Sequence, residues 1–196
     1  MFQVRIHGRG GQGVVTSAEL LSVAAFAEGR NAQAFPSFGS ERMGAPVIAY
    51  CRIDDKEIRL REPVAVPDAV VIADPTLLHQ VDLFNGLKPD GYIVVNSSRT
   101  PEQLGIAEFT NAFPAGHVCC VPATEIALEH IGKPLPNAAL LGALAALTGR
   151  LRIESVVAAI EDRFSGKVAA GNAAAARACF AAVSSTATSE KTASLA

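Results

Sequence analysis

The sequence lacks the runs of basic residues that mark proteins which bind nucleic acids. Its 196 residues include 17 lysines and arginines against 19 acidic residues, which gives a formal net charge of -2. Without a basic field, neither nucleic acid nor an anionic membrane surface is an expected partner. The composition, 49% apolar and 18% charged, is that of a folded protein, and this length favours one domain.

Paired cysteines and long apolar runs are also missing. The four cysteines, Cys51, Cys119, Cys120 and Cys179, form no C-x-x-C motif, so they predict reduced thiols rather than metal or cluster ligands. The most apolar stretch, residues 138–147, is roughly half of the about 20 residues that cross a bilayer. No secretory signal is recognisable before the first predicted strand. We therefore expect a cytoplasmic protein with no membrane span and no metal site.

The sequence contains none of the common catalytic motifs. G-x-S-x-G, H-E-x-x-H and the G-K-[ST] end of a P-loop are all absent. His79 and His130 fall on predicted helices, where a single histidine is usually structural. Asp74 closes a buried strand before Pro75, and a helix N-cap is its expected role. No catalytic residue is assigned to this chain.

Glycines are concentrated between the first predicted strand and the first predicted helix. The candidate binding residues are Gly8, Arg9, Gly10, Gly11, Gln12 and Gly13. Gly8, Gly10 and Gly13 fit the G-x-G-x-x-G spacing, which lets backbone amides at a helix start approach an anion or a second backbone. A tight turn without a ligand is the alternative. A dinucleotide site would need an acidic residue after the second strand, where residues 35–37 (Phe-Pro-Ser) stand instead.

Alternating strand and helix patterns predict an α/β fold: a single domain with an open, mostly parallel sheet, helices on both faces and an inserted β-hairpin. The hairpin is expected to join residues 45–53 to 57–60 through Asp54 and Asp55. The predicted parallel strands are residues 2–6, 69–73, 91–96 and 117–121, and 31–35 is a short further strand. The predicted helices after the first are 76–87, 123–131, 137–148, 153–163 and 168–183. Residues 1–183 form the domain, and the polar residues 184–196 predict a disordered tail.

The segment from Ser37 to Gly44 is a candidate interface. It combines Ser37, Phe38, Glu41, Arg42 and Met43, and aromatic, methionine and arginine side chains are enriched where proteins bind one another. An ordinary loop with Phe38 and Met43 tucked under the domain is the alternative.

Five segments in the same order closely resemble the gamma subunit of the 2-oxoacid:acceptor oxidoreductases, of which pyruvate:ferredoxin oxidoreductase is the familiar member. They are His7–Thr16, Ala34–Val47, Asp54–Arg61, Ala73–Thr76 and Pro136–Gly142. The similarity extends from about residue 2 to residue 165, and this combination is far more specific than the glycine loop alone.

The resemblance implies a subunit of a complex that decarboxylates a 2-oxoacid on thiamine diphosphate and Mg²⁺. Electrons would pass through [4Fe–4S] clusters to ferredoxin or another acceptor, and the product would be an acyl-coenzyme A. The cofactors would lie on alpha, beta and ferredoxin-like delta subunits, while this chain shapes the active site and contacts a coenzyme A phosphate or a partner backbone. Pyruvate is the default substrate, and 2-oxoglutarate, branched-chain or aryl oxoacids such as phenylglyoxylate are also handled by relatives.

Two other functions fit parts of the sequence. The glycine spacing alone suits a stand-alone nucleotide- or flavin-binding module. The absence of a catalytic motif suits a purely structural adaptor without any ligand.

Overall fold

A six-stranded sheet organises the molecule. The computed structural model describes residues 1–37 and 43–193, with side chains described as far as residue 186. The strands lie in the order β2-β3-β1-β4-β5-β6. β1 pairs in parallel with β4 and antiparallel with β3, while β4, β5 and β6 are mutually parallel. The predicted α/β class and mostly parallel sheet are confirmed.

The strands are β1 (Phe2–Arg9), β2 (Asn31–Pro36), β3 (Pro46–Asp54), β4 (Ala69–Ile72), β5 (Tyr92–Asn96) and β6 (Val118–Val121). The helices are α1 (Val14–Ala27), α2 (Ala107–Thr110), α3 (Ala123–Ile131), α4 (Asn137–Thr148), α5 (Ile153–Arg163) and α6 (Gly166–Ala193), with a 3-10 helix over Pro75–His79. In the part of the chain that the structure describes, no helix is both long and apolar enough to cross a membrane.

The inserted antiparallel pair is β2 with β3, which corrects the predicted hairpin partner. Asn31 pairs with Asp54 and Pro36 with Ala49, whereas residues 57–60 form no strand. The physical reason is the pairing of β3. β3 pairs with β1 on one edge and with β2 on the other, and α1 buries β2 and β3 together, so no edge of β3 is left for residues 57–60, where Glu57 and Arg59 are exposed and bind each other.

The two faces of the sheet are covered differently. Val71 and Val94 point into a large core built with α1, α4, α5 and α6. Val70 and Ile93 point to the opposite face, into a smaller core that includes Leu77, from the 3-10 helix. The longer helices therefore pack on one face, and short turns cover much of the other.

The prediction of one helix over residues 76–87 is wrong, because only its first part is helical, as the 3-10 helix. Arg5, buried on the turn-covered face, donates through Nη2 to the carbonyl oxygens of Leu83 and Asn85 at 2.9 and 2.7 Å. In a helix that continued to Leu87, the Leu83 carbonyl would accept from the Leu87 amide, so the buried guanidinium and a regular helix compete for that acceptor.

α6 continues past the predicted end of the domain. Its backbone is helical to Ala193, so the helix extends into residues 184–196, for which the sequence predicts a disordered tail. Alanine has the highest helix propensity, and the hydroxyls of Ser185 and Thr186 donate to the Ala182 carbonyl within the helix. Residues 194–196 lie outside the described part of the chain.

Candidate functional site

The glycine loop, residues 8–13, connects the carboxyl end of β1 to the start of α1. Gly11 and Gly13 adopt φ of 94° and 73°, a left-handed region that favours glycine, and Gly13 is the N-cap of α1. Gly8 is restricted by space instead, since a Cβ there would lie 2.5 Å from Val14 Cγ2. The loop therefore needs glycine at these positions for its own fold.

Arg9 is held by the side chains of residues 74–80 and by the backbone of Gly44. Its Nε donates to Asp74 Oδ2 at 3.1 Å, and its Nη2 donates to Thr76 Oγ1 at 2.8 Å and Gln80 Oε1 at 3.0 Å. Its Nη1 donates to the Gly44 carbonyl at 3.0 Å. Most of the guanidinium donors are thus engaged within the chain, and the side chain is not free to bind a ligand.

Gln12 completes this network. Its Oε1 accepts from the Arg9 backbone amide at 2.7 Å, and its Nε2 donates to Asp74 Oδ2 at 2.9 Å. Asp74 also accepts from the Thr76 amide at 3.0 Å, which confirms its predicted role as a cap. Burial alone would raise the pKa of the Asp74 carboxyl, but hydrogen bonds from Thr76 and Gln12 and the charge of Arg9 together hold it below its ordinary value.

This network occupies the place where an open α/β sheet usually receives a dinucleotide. The chain leaves β1 for β2 and β3 on one side and returns to β4 on the other, so the strand order reverses between β1 and β4. Ligands of doubly wound folds bind in the crevice at that point. Here Arg9 and Asp74, at the carboxyl ends of those strands, form an ion pair there. The arrangement disfavours conventional NAD binding.

A separate cavity of about 320 Å³ lies beside the glycine loop. Its lining residues are Gly11, Gly13, Thr16, Ile131, Lys133, Leu135, Asn137, Phe164, Lys167, Val168 and Asn172. The starts of α1, α4 and α6 all contribute to it. Helix starts carry partial positive charge, and Lys133 and Lys167 add two full charges, so the cavity suits an anionic group.

The segment Pro136–Gly142 is a motif that occurs together with the glycine loop because Asn137, near its start, packs against that loop. A Cβ on Gly13 would lie 2.8 Å from Asn137 Nδ2, so the start of α4 packs directly against the loop. At the other end of the segment, a Cβ on Gly142 would overlap the Ala176 carbonyl of α6. The segment thus joins the cavity wall to the helical core.

Sequence reasoning missed Lys133 and Lys167. They lie far from the glycine loop in the chain and belong to no recognised motif. The available signal was weak: Lys133 stands between two predicted helices, and Lys167 stands directly before another. Only the packing of α4 and α6 against the loop brings them to one cavity.

His7 lies within β1 and His117 directly before β6, and both side chains are placed for structural roles. His7 is buried, and burial and the Arg5 charge lower its pKa to about 3, so it is neutral at ordinary pH. Its Nε2 has no hydrogen-bond partner among the described residues. His117 stacks on Tyr92 with ring centroids 4.2 Å apart. Neither geometry is that of a catalytic base with a positioned carboxylate.

Only part of the candidate interface lies within the described residues. Met43 is 87% exposed, and its backbone bridges to Gly10 in the glycine loop. Ser37 is exposed, and its amide donates to the Ile48 carbonyl at 2.8 Å. Phe38, Glu41 and Arg42 lie outside the described residues. The alternative in which Met43 tucks under the domain is therefore wrong.

Comparisons with known proteins agree with this architecture. Residues 3–182 match the family model described as pyruvate ferredoxin/flavodoxin oxidoreductase. The chain is 50% identical over 180 residues to the pyruvate/ketoisovalerate oxidoreductases common subunit gamma of Pyrococcus abyssi, covering 92% of this chain and 96% of that protein. It is 47% identical over the same length to the pyruvate synthase subunit PorC of Methanocaldococcus jannaschii, with the same coverage.

A solved structure supports the same assignment. The pyruvate oxidoreductase subunit PORC of Thermotoga maritima superposes with a TM-score of 0.77 at 36% identity, covering 92% of this chain and 95% of that one. The matches to the family model, to the relatives and to the solved structure each cover nearly the whole domain. The chain therefore belongs to the pyruvate ferredoxin/flavodoxin oxidoreductase family, as a gamma subunit of a multi-subunit 2-oxoacid oxidoreductase.

Proposed function

We propose that the complex containing this chain oxidatively decarboxylates a 2-oxoacid, with pyruvate as the default substrate, and forms an acyl-coenzyme A in the cytoplasm. The names of the relatives from Pyrococcus abyssi and Methanocaldococcus jannaschii support pyruvate or a branched-chain oxoacid. Thiamine diphosphate, Mg²⁺ and [4Fe–4S] clusters would be held by alpha, beta and ferredoxin-like delta subunits, with ferredoxin or another acceptor taking the electrons. When bound there, these groups supply the carbanion and electron-transfer chemistry.

Within that complex, this chain binds a phosphate of coenzyme A beside the glycine loop. The observation that carries the proposal is the cavity that brings Lys133 and Lys167 together with the starts of α1, α4 and α6. Coenzyme A is the substrate with a polyanionic end, and a cavity of about 320 Å³ suits a phosphoryl group with part of its attached chain.

The contribution of the chain is binding and positioning. Backbone amides at the start of α1 would donate to phosphate oxygens, and Lys133 and Lys167 would neutralise the charge. Holding the nucleotide end of coenzyme A directs its thiol towards the active site on the neighbouring subunits, and a covered site excludes water from the acyl intermediate.

Lysine substitutions in the assembled complex test this proposal. Lys133→Ala and Lys167→Ala are each expected to raise the KM for coenzyme A about tenfold, since each removes a charge-assisted contact. The KM for the 2-oxoacid should stay unchanged. Lys56→Ala is the matched control, because Lys56 is exposed in the turn after β3, at the opposite end of the sheet from the glycine loop. An unchanged KM for coenzyme A in both variants, with assembly intact, would refute the phosphate site.

Partner docking is a second role, favoured by the exposure of Met43. The apolar side chain of Met43 is flexible and 87% exposed, so covering it costs little free energy. It suits an apolar pocket on an adjacent subunit. We assign this contact to Met43 and Ser37 and extend it to Phe38, Glu41 and Arg42 on the sequence alone. A complex of this family has other subunits to supply such a pocket.

A further inference from the structure

We propose that Arg9 is a positioning residue that joins the phosphate-binding side of the glycine loop to the Met43–Ala45 segment, and that it does not itself bind coenzyme A. This inference rests on the phosphate site proposed above. It assigns Arg9 and Gln12 to the maintenance of the site.

The hydrogen-bonding capacity of the Arg9 side chain is almost fully used within the chain. Four hydrogen bonds reach Asp74, Thr76, Gln80 and the Gly44 carbonyl at 2.8 to 3.1 Å. A guanidinium that turned towards a ligand phosphate would have to give up several of these bonds and leave the Asp74 carboxylate without its cation. Arg9 is also absent from the cavity lining that includes Lys133 and Lys167.

The Met43–Ala45 segment is attached to the glycine loop by backbone hydrogen bonds and by Arg9. The Gly10 amide donates to the Ala45 carbonyl at 2.9 Å, and the Gly44 amide donates to the Gly10 carbonyl at 3.2 Å. Arg9 Nη1 adds a third bond, to the Gly44 carbonyl. These bonds place the exposed Met43 directly on the loop, so a displacement of either segment moves the other.

Arg9 and Gln12 are coupled through one carboxylate oxygen of Asp74. Asp74 Oδ2 accepts from both Arg9 Nε and Gln12 Nε2, and Gln12 Oε1 in turn fixes the Arg9 amide. Gln12 lies between Gly11 and Gly13, which line the cavity. Loss of the Asp74 carboxylate would therefore loosen the loop at two places at once, beside the phosphate cavity and at Met43.

A double-mutant cycle in the assembled complex tests the inference. Arg9→Gln and Asp74→Asn should each raise the KM for coenzyme A about tenfold with little effect on the KM for the 2-oxoacid, because both disrupt the same loop. The double variant should be no worse than the more severe single one. Arg9→Lys, which keeps the charge but fewer bonds, should be intermediate. Arg59→Gln and Glu57→Gln are the matched control, since this pair is exposed and follows the end of β3 that pairs with Phe2, opposite the glycine loop.

Amide hydrogen exchange of the same complexes gives a second readout. In Arg9→Gln and Asp74→Asn, exchange should become faster in residues 10–13 and 43–45 together, as expected for one linked unit. Faster exchange in only one segment, or in neither, would overturn the inference. It would also be overturned if Arg9→Gln raised the KM for coenzyme A while Asp74→Asn left it unchanged, because Arg9 would then contact the ligand directly.

The two proposals fail in different ways. If Lys133→Ala and Lys167→Ala leave the KM for coenzyme A unchanged, the phosphate site is refuted, and the exchange measurement still decides whether Arg9 links the two segments. If the lysine variants raise the KM but Arg9→Gln and Asp74→Asn do not, the phosphate site stands and the positioning role is refuted.

Discussion

Gly13 lies against the side chain of Asn137, so closely that a Cβ on Gly13 would be 2.8 Å from Asn137 Nδ2. The contact joins the glycine loop to the start of α4, although the two residues belong to separate segments of the sequence. Gly13 also has φ of 73°, so both space and backbone conformation require glycine here. The wall of the candidate phosphate cavity depends on this contact.

Gly13→Ala is expected to cost more stability than Gly29→Ala. Both glycines have left-handed φ, 73° and 76°, but a Cβ on Gly29 would meet nothing within 4 Å. Gly29→Ala should therefore lower the free energy of unfolding by about 1 kcal/mol through backbone strain alone, and Gly13→Ala by about 2 to 3 kcal/mol. Urea denaturation of the purified chain measures both. Equal losses would show that Asn137 does not restrict the loop.

Gly142→Ala should destabilise the chain even though alanine is the better helix former. In an open helix this change would gain about 1 kcal/mol. At Gly142, the new Cβ would overlap the Ala176 carbonyl, backbone that cannot move without separating α4 from α6. We expect a net loss of about 2 kcal/mol in the free energy of unfolding. Ala158→Ser, on the exposed side of α5, is the control and should change it by less than about 0.5 kcal/mol. A stabilised Gly142→Ala variant would contradict the close helix contact.

His7 should make stability depend on pH. Its pKa falls from 6.5 to about 3 in the folded chain because burial and the Arg5 charge oppose its protonation. Its contribution is complete above pH 6.5 and is lost as the pH falls towards 3, because the unfolded chain then binds a proton that the folded chain excludes. The free energy of unfolding should change through this group by at most about 1.4 kcal/mol per pH unit. Urea denaturation between pH 6.5 and 5 should show this decline, and His7→Leu should flatten it. If the pH dependence were the same in the His7→Leu variant, His7 would be protonated in the folded chain as readily as in the unfolded chain.

Met43→Glu should weaken assembly without unfolding the chain. The side chain is 87% exposed, so its replacement removes little buried surface, and the thermal midpoint of the isolated chain should change by no more than about 2 °C. A charge placed in an apolar pocket of a neighbouring subunit would instead lower the affinity about tenfold or more. Size-exclusion chromatography of reconstituted complexes measures the effect, with Leu60→Glu as an exposed control outside the candidate interface. Normal assembly of the Met43→Glu complex would remove this residue from the interface.

Local patterns predicted much of the secondary structure because they report burial. The continuous apolar run at residues 69–73 gave β4, and the small apolar residues from Asn137 to Thr148 gave α4 with its predicted bounds. Residues 57–60 and 76–87 were mispredicted. Their patterns suit a strand and a helix, but packing of α1 on β2 and the hydrogen bonds of Arg5 to the Leu83 and Asn85 carbonyls decided otherwise.

The sequence by itself determined the fold class, the glycine loop between β1 and α1, and, through five segments in a fixed order, the resemblance to the family. These depend on residue type and short-range spacing, which the chain carries before it folds. Only the tertiary structure brought Lys133 and Lys167 beside Gly13 and placed Arg9 on Asp74. Those contacts join residues many positions apart in the chain. The order of the strands and the packing of the helices set the distances between these residues, and local sequence patterns do not encode those distances.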